Sequence, residues 1–271
     1  MNILHAALLG IIQGLTEFLP VSSDGHLAVA YHLLGEKPNL TFEVFLHTAT
    51  LIAMIAYFWS DIARLLAALL PKNMDRKDDR RLIVYIIVAT AVSGALALVL
   101  SPYIESISAS MTWVAVGFLA TAALLTLGEA VSRGRAPLPG PQKLSPLKSG
   151  LIGVLQGLAV LPGVSRSGST ISAGMMSGLS REAAARFSFL LGIPIIALAS
   201  AKDVLDLLGG NASLPGVLPS IVGFVVAGVS GYLAIAWLLS LVKHHSLYWF
   251  AAYTAVLGTV ILLLNTVLTR G

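Results

Sequence analysis

Six near-continuous runs of Leu, Ile, Val and Ala constrain this chain more than anything else in it. An α-helix rises about 1.5 Å per residue, so about 20 apolar residues cross the hydrocarbon core of a bilayer. The runs lie at roughly 42–59, 82–101, 111–131, 186–208, 217–241 and 247–268. Inside lipid every backbone polar group must be satisfied within the segment, which makes such runs helices. Charged residues form 11% of the chain, against about 25% in soluble domains, and the mean hydropathy is +0.87. The expected class is therefore an all-α polytopic membrane protein forming a single integral membrane domain over 1–271. With no cysteine, disulfides and thiolate metal sites are excluded. No basic n-region with a following A-x-A site precedes the first apolar run, so no cleavable leader is expected.

Two further apolar regions, 3–35 and 149–180, are interrupted near their middles by Pro, Gly and polar residues. Breaks at 20–26 and 162–170 leave arms of about fifteen and nine, and about thirteen and nine residues, too short to span. Such arms suit re-entrant hairpins that dip to mid-membrane and return. Six spans with two non-crossing hairpins assign 13 of the 17 Lys and Arg to one side, in 60–81, in 133–148 and at Arg181, Arg186 and Lys243. The other side receives Lys37, Lys202 and Arg270, and Arg166 lies inside the second hairpin. By the positive-inside rule the rich side is cytoplasmic, and both termini face outward.

The interrupted regions also resemble each other. Gln13-Gly14-Leu15 matches Gln156-Gly157-Leu158, Val21-Ser22 matches Val164-Ser165, and Gly25 matches Gly168, all at an offset of 143. Each copy is followed by three spans. Because three is odd, the second copy enters from the opposite face, the pattern of an inverted-topology repeat with broken elements meeting near the midplane. Residues 1–132 form the first repeat and 149–271 the second.

The breaks carry the reactive side chains. Gln13 and Glu17 are four apart and share a helix face. Pro20 ends that helix, and Ser22, Ser23, Asp24 and His26 follow. A carboxylate at membrane depth costs about 2.5–3.5 kcal/mol on insertion scales, so Glu17 and Asp24 need partners or a function. Helix capping alone would also account for either serine, and a satisfied buried imidazole for His26. The second break, Pro162 to Thr170, holds one charge, Arg166, flanked by Ser165, Ser167, Ser169 and Thr170. A guanidinium beside a helix N-terminus makes an anion site, because Arg can hold phosphate oxygens through two parallel hydrogen bonds. A structural ion pair of Arg166 with Glu17 or Asp24 is the simpler alternative, and the two are compatible. Tip to tip, the hairpins bring nucleophile, base and anion clamp together in lipid, which suits a substrate with a lipid tail.

At these residues the sequence resembles the undecaprenyl-diphosphate phosphatases, also called bacitracin-resistance proteins. The family signature (E/Q)GxxEFLPVSSxGH is matched from Gln13 to His26, and PGxSRSGxTI from Pro162 to Ile171. "TFEVFLHTATLIA" from Thr41 and "FSFLLGIPI" from Phe187 are similar to further family segments. The resemblance covers nearly the whole chain. It implies an integral phosphatase that converts undecaprenyl diphosphate to the monophosphate for reuse as the cell-wall lipid carrier. It also implies that Glu17, Ser23, His26 and Arg166 are the central catalytic positions, supported by Gln13, Ser22 and Ser165, with a divalent cation required. Asp24 departs from the pattern, where Thr or Ser is expected.

On that reading Arg166 and the groups around Ser165, Ser167, Ser169 and Thr170 bind phosphate oxygens, with Ser22 beside them. Mg²⁺ or Ca²⁺ is held by Glu17, Gln13 and Asp24 together with the diphosphate. Ser23 attacks phosphorus while His26 or Glu17 takes its proton; attack by water or by His26 itself stays open. The expected partners are a polyprenyl diphosphate lipid and the bilayer, not a nucleic acid, and a homodimer is compatible with the sequence. The expected location is the plasma membrane, with the site open to its outer face. Architecture alone favours an anion transporter or lipid flippase. The Ser/Ser/Asp/His cluster favours chemistry, since a carrier needs donors but no nucleophile–base pair.

Overall fold

A computed structural model describes residues 1–73, 75–108, 110–208 and 214–268; Arg270 lies outside the described residues, as does the side chain of Lys202. Among the described residues the chain is helical throughout, with eleven α-helices and two 3-10 turns. In chain order they are α1 (Ile3–Phe18), α2 (Ser23–Leu34), α3 (Leu40–Tyr57), α4 (Trp59–Ala68), α5 (Lys77–Ser108), α6 (Met111–Ser132), α7 (Pro146–Leu158), α8 (Arg166–Met176), α9 (Arg181–Leu208), α10 (Val217–His244) and α11 (Tyr248–Leu268).

Six of these, α3, α5, α6, α9, α10 and α11, are long and apolar enough to cross a membrane, and they coincide with the six expected runs. Two begin earlier than hydropathy suggests, at Lys77 and Arg181. Hydropathy registers only the part of a helix inside hydrocarbon, whereas backbone hydrogen bonding continues into the polar flank. Asp78 and Asp79 in the first turn of α5, and Glu182 in that of α9, suit the positive end of the helix dipole. The region 60–81 holds a helix that span counting does not anticipate. At 10 residues α4 is about 15 Å long, too short to cross. It buries Leu65 and Ala68, and Asp61 joins it to Arg186 of α9 at 2.7 Å.

Both interrupted regions form helical hairpins whose ends meet. His5, near the start of α1, lies 2.7 Å from Glu36, just beyond α2. That contact holds the Glu36 carboxyl below the usual carboxylate range. Lys148, near the start of α7, donates to the carbonyl of Ser177, just after α8, at 2.8 Å. The arms are short: α1 has 16 residues and α8 has 11, or about 24 and 16 Å, against about 30 Å of hydrocarbon.

Glycines decide where the first arms dock. α1 packs along α10, and α7 along α5. A Cβ on Gly10 or Gly14 would collide with the α10 backbone at Gly223 or Ala227, and one on Gly153 with the α5 backbone at Ala89. Gly157 stands one turn beyond Gly153, tight against Leu96. Small residues four apart let helix backbones approach closely in lipid, where dispersion and weak polar contacts drive association. The end of α1 is then fixed by aromatic packing. Phe18 meets Phe189 of α9 edge-to-face at 5.6 Å, and Phe189 meets Phe58 at 5.9 Å. All three rings are buried, which leaves the preceding residue, Glu17, aimed between the hairpins.

Candidate active site at the two helix breaks

Ser22 and Ser165 are the N-caps of α2 and α8. Each hydroxyl accepts from the amide three residues on, Gly25 at 3.3 Å and Gly168 at 2.9 Å. Capping satisfies one of the amides left unpaired where a helix begins, so the matched serines do the same local work in both hairpins. The breaks differ in how the chain turns. Ser22 has φ 73°, the only positive φ among the described non-glycine residues, while the second break turns at Gly163 with φ 79°. A side chain held at such a φ costs on the order of 1–3 kcal/mol, and such strain concentrates at functional sites.

The carboxylate of Glu17 is where the hairpins meet. Arg166 Nη2 donates to its Oε1 at 2.6 Å. Ser23 Oγ donates to its Oε2 at 2.7 Å, and Gln13 Nε2 to the same oxygen at 3.1 Å. The Glu17 side chain is 6% exposed, so these donors supply the stabilisation that water cannot. Arg166 is accommodated because α9 has no side chain at Gly192, where a Cβ would strike the guanidinium. Its Nη1 is buried without a hydrogen-bond partner.

The other expected residues are placed as follows. Ser167 donates to the carbonyl of Leu19 at 3.0 Å, locking one hairpin tip to the other. Thr170 donates to the carbonyl of Arg166 at 2.8 Å and lies 2.5 Å from the Ser188 hydroxyl. Both hydroxyls are engaged within the protein. Ser169 Oγ is buried without a partner. The amides of Gly168 and Ser169 donate to Ser165 itself. His26 is not hydrogen-bonded to Ser23. Its Nδ1 lies 2.7 Å from the carbonyl of Ser22 and its Nε2 2.7 Å from Tyr253 Oη of α11. With a carbonyl opposite Nδ1, that nitrogen carries the proton and Nε2 accepts from the phenol.

Three residues outside the sequence-derived set join the site. His47 of α3 places Nε2 3.4 Å from both Glu17 Oε2 and Asp24 Oδ1. Tyr253 stacks on His26 at 5.6 Å. Thr121 of α6 accepts from the Ser165 amide at 2.9 Å. His47 had a readable signal, since an ionisable residue inside an apolar run is a functional candidate by default. Tyr253 and Thr121 had none, because their relation to the breaks exists only in three dimensions.

The oxygens present suit a hard cation. Gln13 Oε1 is buried without a partner, and the Asp24 carboxylate is 57% exposed, beside that of Glu17. No group of three or more His, Cys, Asp or Glu among the described residues forms a self-contained metal cage. A cation here would share its coordination with a phosphate ligand, the usual habit of Mg²⁺.

Residues 6–260 match the family model described as bacitracin resistance protein BacA. Among curated relatives, the undecaprenyl-diphosphatase of Methanobrevibacter smithii is 40% identical, covering 96% of this chain and 97% of its own. That of Methanosphaera stadtmanae is 38% identical over 99% of this chain and 100% of its own. That of Carboxydothermus hydrogenoformans is 38% identical over 98% of each.

Proposed function

The chain belongs to the bacitracin resistance protein BacA family, and from that premise we propose that it is a multi-pass membrane phosphatase. It hydrolyses undecaprenyl diphosphate to undecaprenyl phosphate and inorganic phosphate, returning the lipid carrier to cell-wall synthesis. The observation that carries the reading is the single carboxylate of Glu17, which holds the hydroxyl of Ser23 on one oxygen and the guanidinium of Arg166 on the other. Nucleophile, base and anion clamp are thereby assembled before substrate arrives. A lipid carrier needs the clamp, but it has no use for a serine hydroxyl hydrogen-bonded to a carboxylate.

In the mechanism we assign, the terminal phosphate binds at Arg166, whose unpaired Nη1 supplies a donor beyond the one given to Glu17. Ser23 Oγ attacks the terminal phosphorus and passes its proton to Glu17 Oε2, 2.7 Å away. The bond from that phosphorus to the bridging oxygen breaks, and undecaprenyl phosphate leaves. Water then hydrolyses the phosphoserine, giving inorganic phosphate and restoring the hydroxyl. His26, with Tyr253 on its Nε2, serves as the second proton-exchanging pair, for the leaving oxygen and for the attacking water. A divalent cation, Mg²⁺ or Ca²⁺, would be held by Asp24, Glu17 and Gln13 Oε1 with the diphosphate, and it would neutralise phosphate charge. Ser22 and Ser165 act as caps that hold the breaks in shape. Ser167 ties the hairpin tips, and Ser169 and Thr170 line the phosphate end of α8.

The two halves, 1–132 and 149–271, are read as an inverted repeat with two re-entrant hairpins. Three relations support this at the offset of 143: the paired caps, the docking glycines Gly10 and Gly14 against Gly153 and Gly157, and the contacts of His5 and Lys148 that close the hairpins. The charge distribution supports termini on the outer side of the plasma membrane, with the site open to that face, and mass in detergent distinguishes a monomer from a homodimer. The experiment that tests the function is phosphate release from undecaprenyl diphosphate by detergent-purified protein, where transport has no meaning. A silent preparation that still binds the lipid diphosphate would return the reading to a carrier.

A further inference from the structure

The span α6 ends at Ser132 and the span α9 begins at Arg181. Where they end lies a cavity of about 300 Å³, at the lower end of the range for small-molecule sites. Arg133, Arg135 and Arg181 line it, together with Met175 and Leu179, which are buried. No carboxylate lines it among the described residues. Its walls are tied together, because the amide of Leu138 donates to the carbonyl of Gly178 at 2.8 Å. The segment after α6 is thereby fastened to the turn between α8 and α9. Gly134 and Gly178, at φ 74° and 103°, allow the two turns.

Arg181 is already matched, since its guanidinium donates to both carboxylate oxygens of Glu129, which is 3% exposed. Arg64, Arg76, Arg81 and Arg186, which the charge distribution assigns to the same side, each lie within 4.0 Å of a carboxylate. Among the described residues Arg133 and Arg135 have no such partner. The cavity therefore presents two unmatched positive charges. Because two spans end here, it lies at the level of lipid headgroups rather than out in open water.

The geometry points to a binding site for the phosphate of an anionic phospholipid from the cytoplasmic leaflet. Arg133 and Arg135 hold its oxygens through paired N–H donors, and Met175 and Leu179 meet the ester carbons. That leaflet carries the anionic lipids, and basic pockets between spans on its side suit their headgroups. The site is separate from the helix breaks. Met175 is near the end of α8, whose first residue is Arg166, about 14 Å away along the helix. A free phosphate ion has the same chemistry, and the depth of the cavity favours the lipid.

Full-length detergent-purified chains carry the test: the parent, Arg133→Gln with Arg135→Gln, and Arg76→Gln with Arg81→Gln. The last pair removes the same charge from positions that already face carboxylates. Native mass spectrometry reads the affinity for phosphatidylglycerol against that for phosphatidylcholine, with no turnover needed. The parent retains phosphatidylglycerol in preference. Losing Arg133 and Arg135 weakens that binding about tenfold or more, because each basic residue beside an anionic lipid contributes roughly fivefold. Losing Arg76 and Arg81 weakens it less than about threefold, since charges outside the cavity are screened. Equal weakening in the two variants, or a parent with no preference for the anionic lipid, would overturn the proposal. So would displacement of the lipid by inorganic phosphate at millimolar concentration, which would make free phosphate the ligand. If the chain lacking both Arg133 and Arg135 is not monodisperse, Arg135→Gln alone decides. A loss of about threefold or more then supports the site, and parental affinity overturns it.

Discussion

Glu17 and Arg166, 149 residues apart in sequence, are joined at 2.6 Å between the tips of two helical hairpins. With the hydrogen bond from Ser167 to the Leu19 carbonyl, the pair links the two hairpins at the point where the reaction is proposed to occur. Each partner also has a second task, since Glu17 holds Ser23 and Arg166 keeps an unpaired Nη1.

Replacing Arg166 with Lys keeps the charge and removes the fork. A single ammonium cannot hold Glu17 and a phosphate oxygen in fixed directions together. Phosphate release is expected to fall about tenfold or more, equivalent to about 1.4 kcal/mol of transition-state stabilisation. Near-parental turnover in Arg166→Lys would reduce the residue to a diffuse charge.

Ser23→Ala should abolish turnover while undecaprenyl diphosphate still binds, because Arg166 remains. Ser22→Ala removes a cap, at a cost of about 1 kcal/mol in stability, and should keep measurable activity. Retention of more than about a tenth of parental turnover by Ser23→Ala, less than about 1.4 kcal/mol, would rule out covalent serine catalysis and favour water or His26. His26→Ala should slow the reaction by about 10²–10⁴-fold, the range for a lost acid–base group.

Glu17→Gln leaves one oxygen and replaces the other by a donor that faces Arg166 or Ser23 wrongly. Activity should fall, and its dependence on Mg²⁺ or Ca²⁺ should weaken, because hard cations prefer a carboxylate to an amide. A titration with either ion that superimposes on that of the parent would remove Glu17 from the cation site.

Gly14→Ala tests packing rather than chemistry. The added methyl meets Ser230 and the α10 backbone, and overpacking of that kind costs about 1–3 kcal/mol. The thermal midpoint in detergent should drop. At Gly94, where the same methyl meets nothing within 4 Å, the change should be small, and equal effects at both would contradict the close approach of α1 to α10.

Orientation can be read by labelling, since the chain has no cysteine of its own. Arg76→Cys, between α4 and α5, should resist an impermeant thiol reagent added outside intact cells and react once the membrane is opened. Labelling from outside would invert the assignment of the Lys- and Arg-rich loops to the cytoplasm.

The six spans were legible because transfer into hydrocarbon depends on composition over about 20 residues, whatever the rest of the chain does. The two breaks were legible because Pro20 and Pro162 with clustered polar residues end an apolar run locally. α4 was not, because a 10-residue amphipathic helix gains its stability from the surface it lies on. The signatures from Gln13 to His26 and from Pro162 to Ile171 named the candidate side chains, but not which touches which. From sequence, His26 and Glu17 both stood open as the group that takes the Ser23 proton. The helix beginning at Ser23 turns His26 toward Tyr253, and the hairpin fold brings Glu17 across the break.

The sequence by itself determined that this is a multi-pass helical membrane protein of a known family, with its polar chemistry at two breaks, because hydropathy and local turn chemistry act over a few residues to a few turns. Only the tertiary structure decided that Glu17 is shared between Ser23 and Arg166, that His47 bridges Glu17 and Asp24, and that Tyr253 caps His26. Those contacts join residues on α1, α2, α3, α8 and α11. They depend on how glycine faces and aromatic rings set the depth and rotation of each helix, and no spacing along the chain encodes that.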